Sequence, residues 1–111
     1  MSNIYRGIVY APSTVAQTTV YTCNATSRAI IQTIQLTNQS GSHTAEVFVY
    51  DSSVPTTAEI SHVGLGSNDT ENLAKGPIVL EEGDALLITV SNTAITGTIS
   101  ILEINRSTLV S

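Results

Sequence analysis

The side chains that could carry nucleophilic or metal chemistry are few: Cys23, His43, His62 and nine Asp and Glu. A nucleophile needs a base within hydrogen-bond reach, and Cys23 or one of the 13 Ser and 16 Thr could be served by either histidine. Neither histidine lies in a local catalytic signature, and there is no Gly-x-Ser-x-Gly elbow. With so many hydroxyls, accidental pairs account for the coincidence, and no catalytic residue is assigned. A metal would have to draw on His43 and His62 with Glu46, Asp51 or Glu59. Structural zinc usually takes thiolates and imidazoles at tight spacings. One cysteine and two separated histidines fall short of that pattern, and polar residues on a sheet surface are the plainer reading.

The remaining motifs are weaker. Asn68-Asp69-Thr70-Glu71 lacks the spacing and flanking helices of a calcium loop. Gly64-Leu65-Gly66 lacks the third glycine and following helix of a nucleotide fingerprint. Glu81, Glu82 and Asp84 fall in a Gly-containing turn, where solvation explains them better than the desolvated acid of a glycosidase. Asn-x-Ser/Thr sequons at Asn24, Asn38, Asn68 and Asn105 are what abundant Ser and Thr produce by chance. The expectation is a protein with no catalytic set, no cofactor and no metal.

The elements that carry these residues read as strands. Segments 15–22, 28–38, 43–51, 57–63, 78–80, 85–91 and 97–104 are rich in Ile, Val and Thr, which are stiff at χ1 and suit a pleated surface. Turn chemistry separates them, as at Gln39-Ser40-Gly41-Ser42 and Glu81-Glu82-Gly83-Asp84, with the longest loop over 64–76. Alternation places Ile30, Ile34 and Leu36 on one face of their strand, with Ile31, Thr33, Gln35 and Thr37 facing away. Leu86, Ile88 and Val90 point inward together. Seven or eight short strands without a helix predict a single antiparallel β-sandwich of jelly-roll type. Residues 1–14 form an N-terminal arm or an edge strand, and 15–111 the sandwich domain.

The last strand departs from apolar-in, polar-out alternation. Ile99 and Ile101 lie on one face, Leu102 and Ile104 on the other, so both faces must be covered. A loop or arm of the same domain would do this, and so would a subunit interface. Ile4, Tyr5, Ile8 and Tyr10 add a second aliphatic and aromatic cluster near the N-terminus. The candidate subunit interface is therefore Ile4, Tyr5, Ile8, Tyr10, Ile99, Ile101, Leu102 and Ile104.

Charge narrows the partners. Four Lys and Arg against nine Asp and Glu give a net charge of −5, and Arg6, Arg28, Lys75 and Arg106 are scattered singly. Phosphate neutralisation needs a basic stripe and base stacking needs aromatics, so nucleic acid is not an expected partner. Nor is a membrane, since no run approaches the length of an apolar span. The start of the chain lacks the apolar segment of a signal peptide, and a lone Cys23 forms no internal disulfide. Both point to a soluble protein made in a reducing cytosol.

Two stretches carry a recognisable pattern. One is Val20-Tyr21-Thr22-Cys23, a turn, then Ala29-Ile30-Ile31 on to Leu36-Thr37-Asn38. The other runs from Asn72-Leu73-Ala74 through Ile78-Val79-Leu80-Glu81-Glu82-Gly83-Asp84-Ala85-Leu86 and is closed by Ile99 to Ile104. Together they resemble small β-sandwich virion structural proteins of tailed bacteriophages, of the capsid decoration or cement type. Asn24 stands where such proteins often have proline, and 43–68 has no counterpart in the pattern. The resemblance implies a non-enzymatic protein, located in the virion after synthesis in the host bacterial cytoplasm. It would stabilise the assembled head by binding the major capsid protein or other virion proteins, as a homo-oligomer with a trimer favoured. The alternatives are a tail- or neck-attached structural protein, or a carbohydrate- or receptor-binding sandwich. With no Trp and four Tyr, the last is short of the aromatics that stack on sugars.

Overall fold

Alternating aliphatic and hydroxyl side chains are accommodated by strands throughout. A computed structural model describes residues 3–105 and, among them, shows nine strands and no helix. They are β1 (Asn3–Tyr10), β2 (Thr18–Thr22), β3 (Ser27–Asn38), β4 (His43–Asp51), β5 (Thr56–Leu65), β6 (Thr70–Asn72), β7 (Ile78–Leu80), β8 (Ala85–Val90) and β9 (Ile95–Asn105). Arg106 and the rest of the Asn105 sequon lie outside the described residues. One antiparallel sheet runs β1-β9-β3-β6, with β7 also on β3, and the other runs β2-β8-β4-β5. β6 pairs Gln35, Leu36 and Thr37 while β7 pairs Ala29, Ile30 and Ile31 of the same strand. The order is that of an eight-strand jelly roll whose sixth strand is broken at 73–77 into β6 and β7. The two strands beyond the seven read from the sequence are β1, which pairs β9 from Asn3↔Ile104 to Tyr10↔Gly97, and the short β6 inside the long loop.

The core lies between the two sheets. Ala29, Ile31, Ile34 and Leu36 of β3 and Ile95, Ile99 and Ile101 of β9 face Ala45 and Val47 of β4 and Leu86, Ile88 and Val90 of β8. Leu65, Leu73 and Leu80 join the cluster, with Tyr10, Cys23 and Ala74 at its margin. Each fully buried Leu or Ile contributes roughly 1.5–3 kcal/mol. The inward set on β8 is the expected one, but β3 differs. Its register with β9 slips between Ile31 and Thr33, so Gln32 is an extra residue and the phase of the strand reverses there. Ile31 is fully buried before the bulge and Ile34 and Leu36 after it. Ile30, expected beside Ile34, faces the opposite way.

Polar groups fix the corners. Cys23 N–H donates to the Asp84 carbonyl and Gly83 N–H to the Cys23 carbonyl, both at 2.9 Å, so the β2–β3 and β7–β8 turns dock on each other. The Asp84 carboxylate is buried rather than solvated. It accepts from the backbone N–H of Ser52 and of Glu81, each at 3.0 Å, and from the Ser52 hydroxyl. Asn38 is fully buried at the end of β3, and its amide donates to the carbonyls of Gly41, Leu65 and Gly66. That pins the loop after β5 and leaves no room for a glycan on Asn38. Among the described residues no buried side-chain nitrogen or oxygen lacks a partner.

At Gly97 the sheet tolerates no side chain, because a Cβ there would lie 1.9 Å from the Gln35 carbonyl oxygen. Gly97→Ala is expected to cost upwards of about 3 kcal/mol, since a backbone atom rather than a flexible tip must give way. Gly7→Ala, where a Cβ would meet nothing within 4 Å, should change the urea midpoint little. Equal midpoints for the two variants would contradict this account of the β3–β9 register.

Candidate interaction surface

β9 sorts the eight predicted interface residues by face. Ile99 and Ile101 are its inward side chains and are fully buried, and Tyr10, opposite Gly97, is buried with them. The expectation that these three meet a partner fails because the second sheet already covers them. Ile8 is half-buried and packs on the same core. Ile4 is an exposed residue on the rim of a cleft between β1 and β2. Tyr5, Leu102 and Ile104 are what remains, all on the outer side of the five-stranded sheet.

Register shows what surrounds them. Tyr5 pairs with Leu102, Leu102 with Ile30, and Ile30 with Val79. Directly paired residues lie on one face with Cβ atoms about 5 Å apart. Tyr5, Leu102, Ile30 and Val79 thus make a continuous apolar row across β1, β9, β3 and β7 on the outside of the sandwich. Tyr5 is 75% and Val79 53% exposed, while Leu102 and Ile30 are half-buried between them. Val9, 80% exposed, lies four pairs further along β1 on the same side. This contiguous apolar row is the candidate contact surface of the described residues. The row is flanked by Arg28, whose Nε lies 3.1 Å from Glu81, and by Ser100 and Thr98. Ile30 and Val79 escaped the sequence reading. Plain alternation groups Ile30 with Ile34 and Leu36 because the Gln32 bulge leaves no mark in it, and Val79 lies in a run that is apolar throughout.

Among the described residues no strand pairs beyond β1. β1 ends one sheet and β2 ends the other on the same side, and a cleft of about 500 Å³ opens between them, lined by Ile4, Arg6, Tyr21, Asn24 and Glu103 among others. Glu103 follows Ile99 and Ile101 on the inward face of β9 and is buried. Arg6 Nε approaches it at 2.8 Å, and the Tyr21 hydroxyl, from the opposite sheet, donates to its other oxygen. One carboxylate therefore ties β1, β9 and β2 together. Burial alone would raise the Glu103 pKa, but the hydrogen bonds from Tyr21 and Arg6 outweigh it and hold it below the usual carboxylate range. Burial, then the bond to Glu103, pushes the Tyr21 hydroxyl well up. The only signal in the sequence was a charged residue continuing an inward aliphatic series.

The Cys23 thiol is buried, donates to the Ser27 carbonyl at 3.2 Å, and is pushed up in pKa mainly by burial. That is a structural thiol rather than an activated one. His43 and Asp51 sit at the two ends of β4. Glu46, Glu59 and His62 are brought together on β4 and β5.

Strand order, core and turns define an all-β sandwich of jelly-roll type, a class that includes viral capsid domains, lectins and cupins. No protein-family model and no curated protein sequence matches the chain. Among solved structures, a chain of the T13 particle of infectious bursal disease virus aligns with a TM-score of 0.56 and 11% identity, over 93% of this chain and 31% of that one. A chain of the same virus, Gt strain, aligns at 14% identity over 95% of this chain and 31% of that one, with a TM-score of 0.42, too low to argue from. The protein thus spans about a third of the length of these viral chains and shares its fold with the first.

The Glu103 tie predicts an acid limb in stability. A carboxylate whose pKa falls on folding adds stability above its unfolded value and gives it up as pH drops through the folded one. From an ordinary value of 4.5, the contribution is complete at neutral pH and fades below about 4.5. Glu103→Gln should be less stable than the parent at pH 7 by urea unfolding, and the gap should close towards pH 3. A gap that stays constant over that range would show that the carboxylate charge is not what holds the three strands.

Proposed function

We propose that this chain is a non-enzymatic virion structural protein, a capsid decoration or cement protein of a tailed bacteriophage that binds and stabilises the assembled head as a homotrimer. The observation that carries the reading is the outer row of Tyr5, Leu102, Ile30 and Val79 beside the edge strand β1. A fold shared with a chain of a viral particle supports it, as does the sequence resemblance to phage virion proteins.

The physics suits such a role. A small rigid sandwich can bridge gaps between shell subunits with its outer sheet face, which keeps its shape because every inner side chain is already committed. Uncharged Ser and Thr around the row form hydrogen bonds without the desolvation cost of buried charge. In a trimer each modest contact is repeated three times, and linked contacts act through effective concentration rather than individual strength. The net charge of −5 keeps the remaining surface soluble. Partners are the major capsid protein or a neighbouring virion protein, and the working location is the particle.

Leu102→Asp should keep the circular-dichroism spectrum of the parent while losing the oligomer in light scattering and co-sedimentation with expanded heads. Ile101→Asp, one residue away, should unfold the chain, because it places a charge in the core. A Leu102→Asp protein that still assembles and still sediments with heads would remove the outer row from the mechanism. Retention on a glycan array without binding to heads would favour a sugar-binding module instead.

A further inference from the structure

The β4–β5 hairpin contains a second bulge with a chemical consequence. Glu46 pairs with His62 and Val47 with Ser61. Continued regularly, that register would set Phe48 opposite Ile60 and turn Glu59 towards the core. Instead the pairing slips, so that Phe48 meets Glu59 and Ile60 is the extra residue. Residues three apart in an unbroken strand point to opposite faces, so Glu59 and His62 share the outer face only because of this bulge. Bulges recur where a strand re-aims a side chain.

The result is a compact set of three donors. One nitrogen of His62 and one carboxylate oxygen each from Glu46 and Glu59 all lie within 4.8 Å of one another. His62 Nδ1 is 3.5 Å from Glu59 Oε2 and 3.8 Å from Glu46 Oε2. Around a tetrahedral ion with bonds near 2.0–2.1 Å, neighbouring ligand atoms are about 3.3 Å apart, so these gaps close with small side-chain rotations. The carboxylate oxygens of Glu46 and Glu59 themselves lie within 4.8 Å of each other, so two negative charges are set close together. Of the two arginines with described ion pairs, Arg6 and Arg28 are engaged elsewhere, with Glu103 and Glu81. A cation held between the three groups would relieve that repulsion.

We propose that Glu46, Glu59 and His62 form a binding site for a divalent transition-metal ion on the outer face of the four-stranded sheet. One imidazole nitrogen with two carboxylate oxygens suits zinc or its neighbours better than calcium or magnesium, which prefer all-oxygen shells. Because β5 is the last strand of its sheet among the described residues, the ion staples an edge strand to β4 and keeps further coordination positions for water or for a donor from another molecule. The site is independent of the outer row on the opposite sheet.

The test is calorimetric titration of the untagged full chain with zinc, with calcium as a parallel arm. The expected result is one zinc per chain with micromolar affinity and a zinc-dependent rise in melting temperature. Both should weaken by more than about tenfold in His62→Ala and in Glu59→Gln, and both should persist in His43→Ala. Cobalt in place of zinc should give a visible absorption band that His62→Ala abolishes. The proposal is overturned by absence of saturable zinc binding at millimolar metal, by binding unchanged in His62→Ala and Glu59→Gln, by equal loss in His43→Ala, or by calcium binding as tightly as zinc.

Discussion

Strand β9 is hydrogen-bonded to β1 on one side and β3 on the other over most of its length, and its inward aliphatics meet β4 and β8 across the core. That double engagement is the constraint from which the rest follows. With Ile95, Ile99 and Ile101 committed inward, Leu102 and Ile104 must face out, and whatever apolar surface β9 shows the outside is fixed by the same pleat that fills the core. Gly97 lets β9 lie closely against β3. Glu103 ends the inward series with a carboxylate whose partners come from β1 and β2, tying the open side of the sandwich without a disulfide.

Much of this was written in the sequence. β-Branched runs, turns rich in Gly, Ser and Asn, and the inward triad Leu86, Ile88 and Val90 specified a sandwich of short strands. What could not be read was phase. Bulges at Gln32 and Ile60 each insert one residue, and a single insertion moves every later side chain to the other face. Ile30, Ile31 and Glu59 were consequently assigned to the wrong faces or to none. Depth was also hidden. Asp84 and Asn38 look like ordinary turn residues, yet both are buried, because the turns that hold them dock against other turns far away in the chain. Such long-range docking leaves no periodic trace.

The two outer faces are chemically different. The five-stranded sheet shows an apolar row between an ion pair and hydroxyls, a surface suited to dry contact with another protein. The four-stranded sheet shows Glu46, Glu59 and His62 at its edge, a surface suited to a small cation. A jelly roll that spends its aliphatics so completely on the core has these outer faces and its edge strands as its means of contact. This division, a committed core inside and an apolar row outside, is what links the fold to the proposed role in a particle.

The most direct test of that role is an image of the assembled particle at side-chain resolution. The account predicts this chain at symmetry-related positions on the shell, with Tyr5, Leu102, Ile30 and Val79 buried against a neighbouring subunit. Particles in which the row faces solvent, or from which the chain is missing, would contradict it.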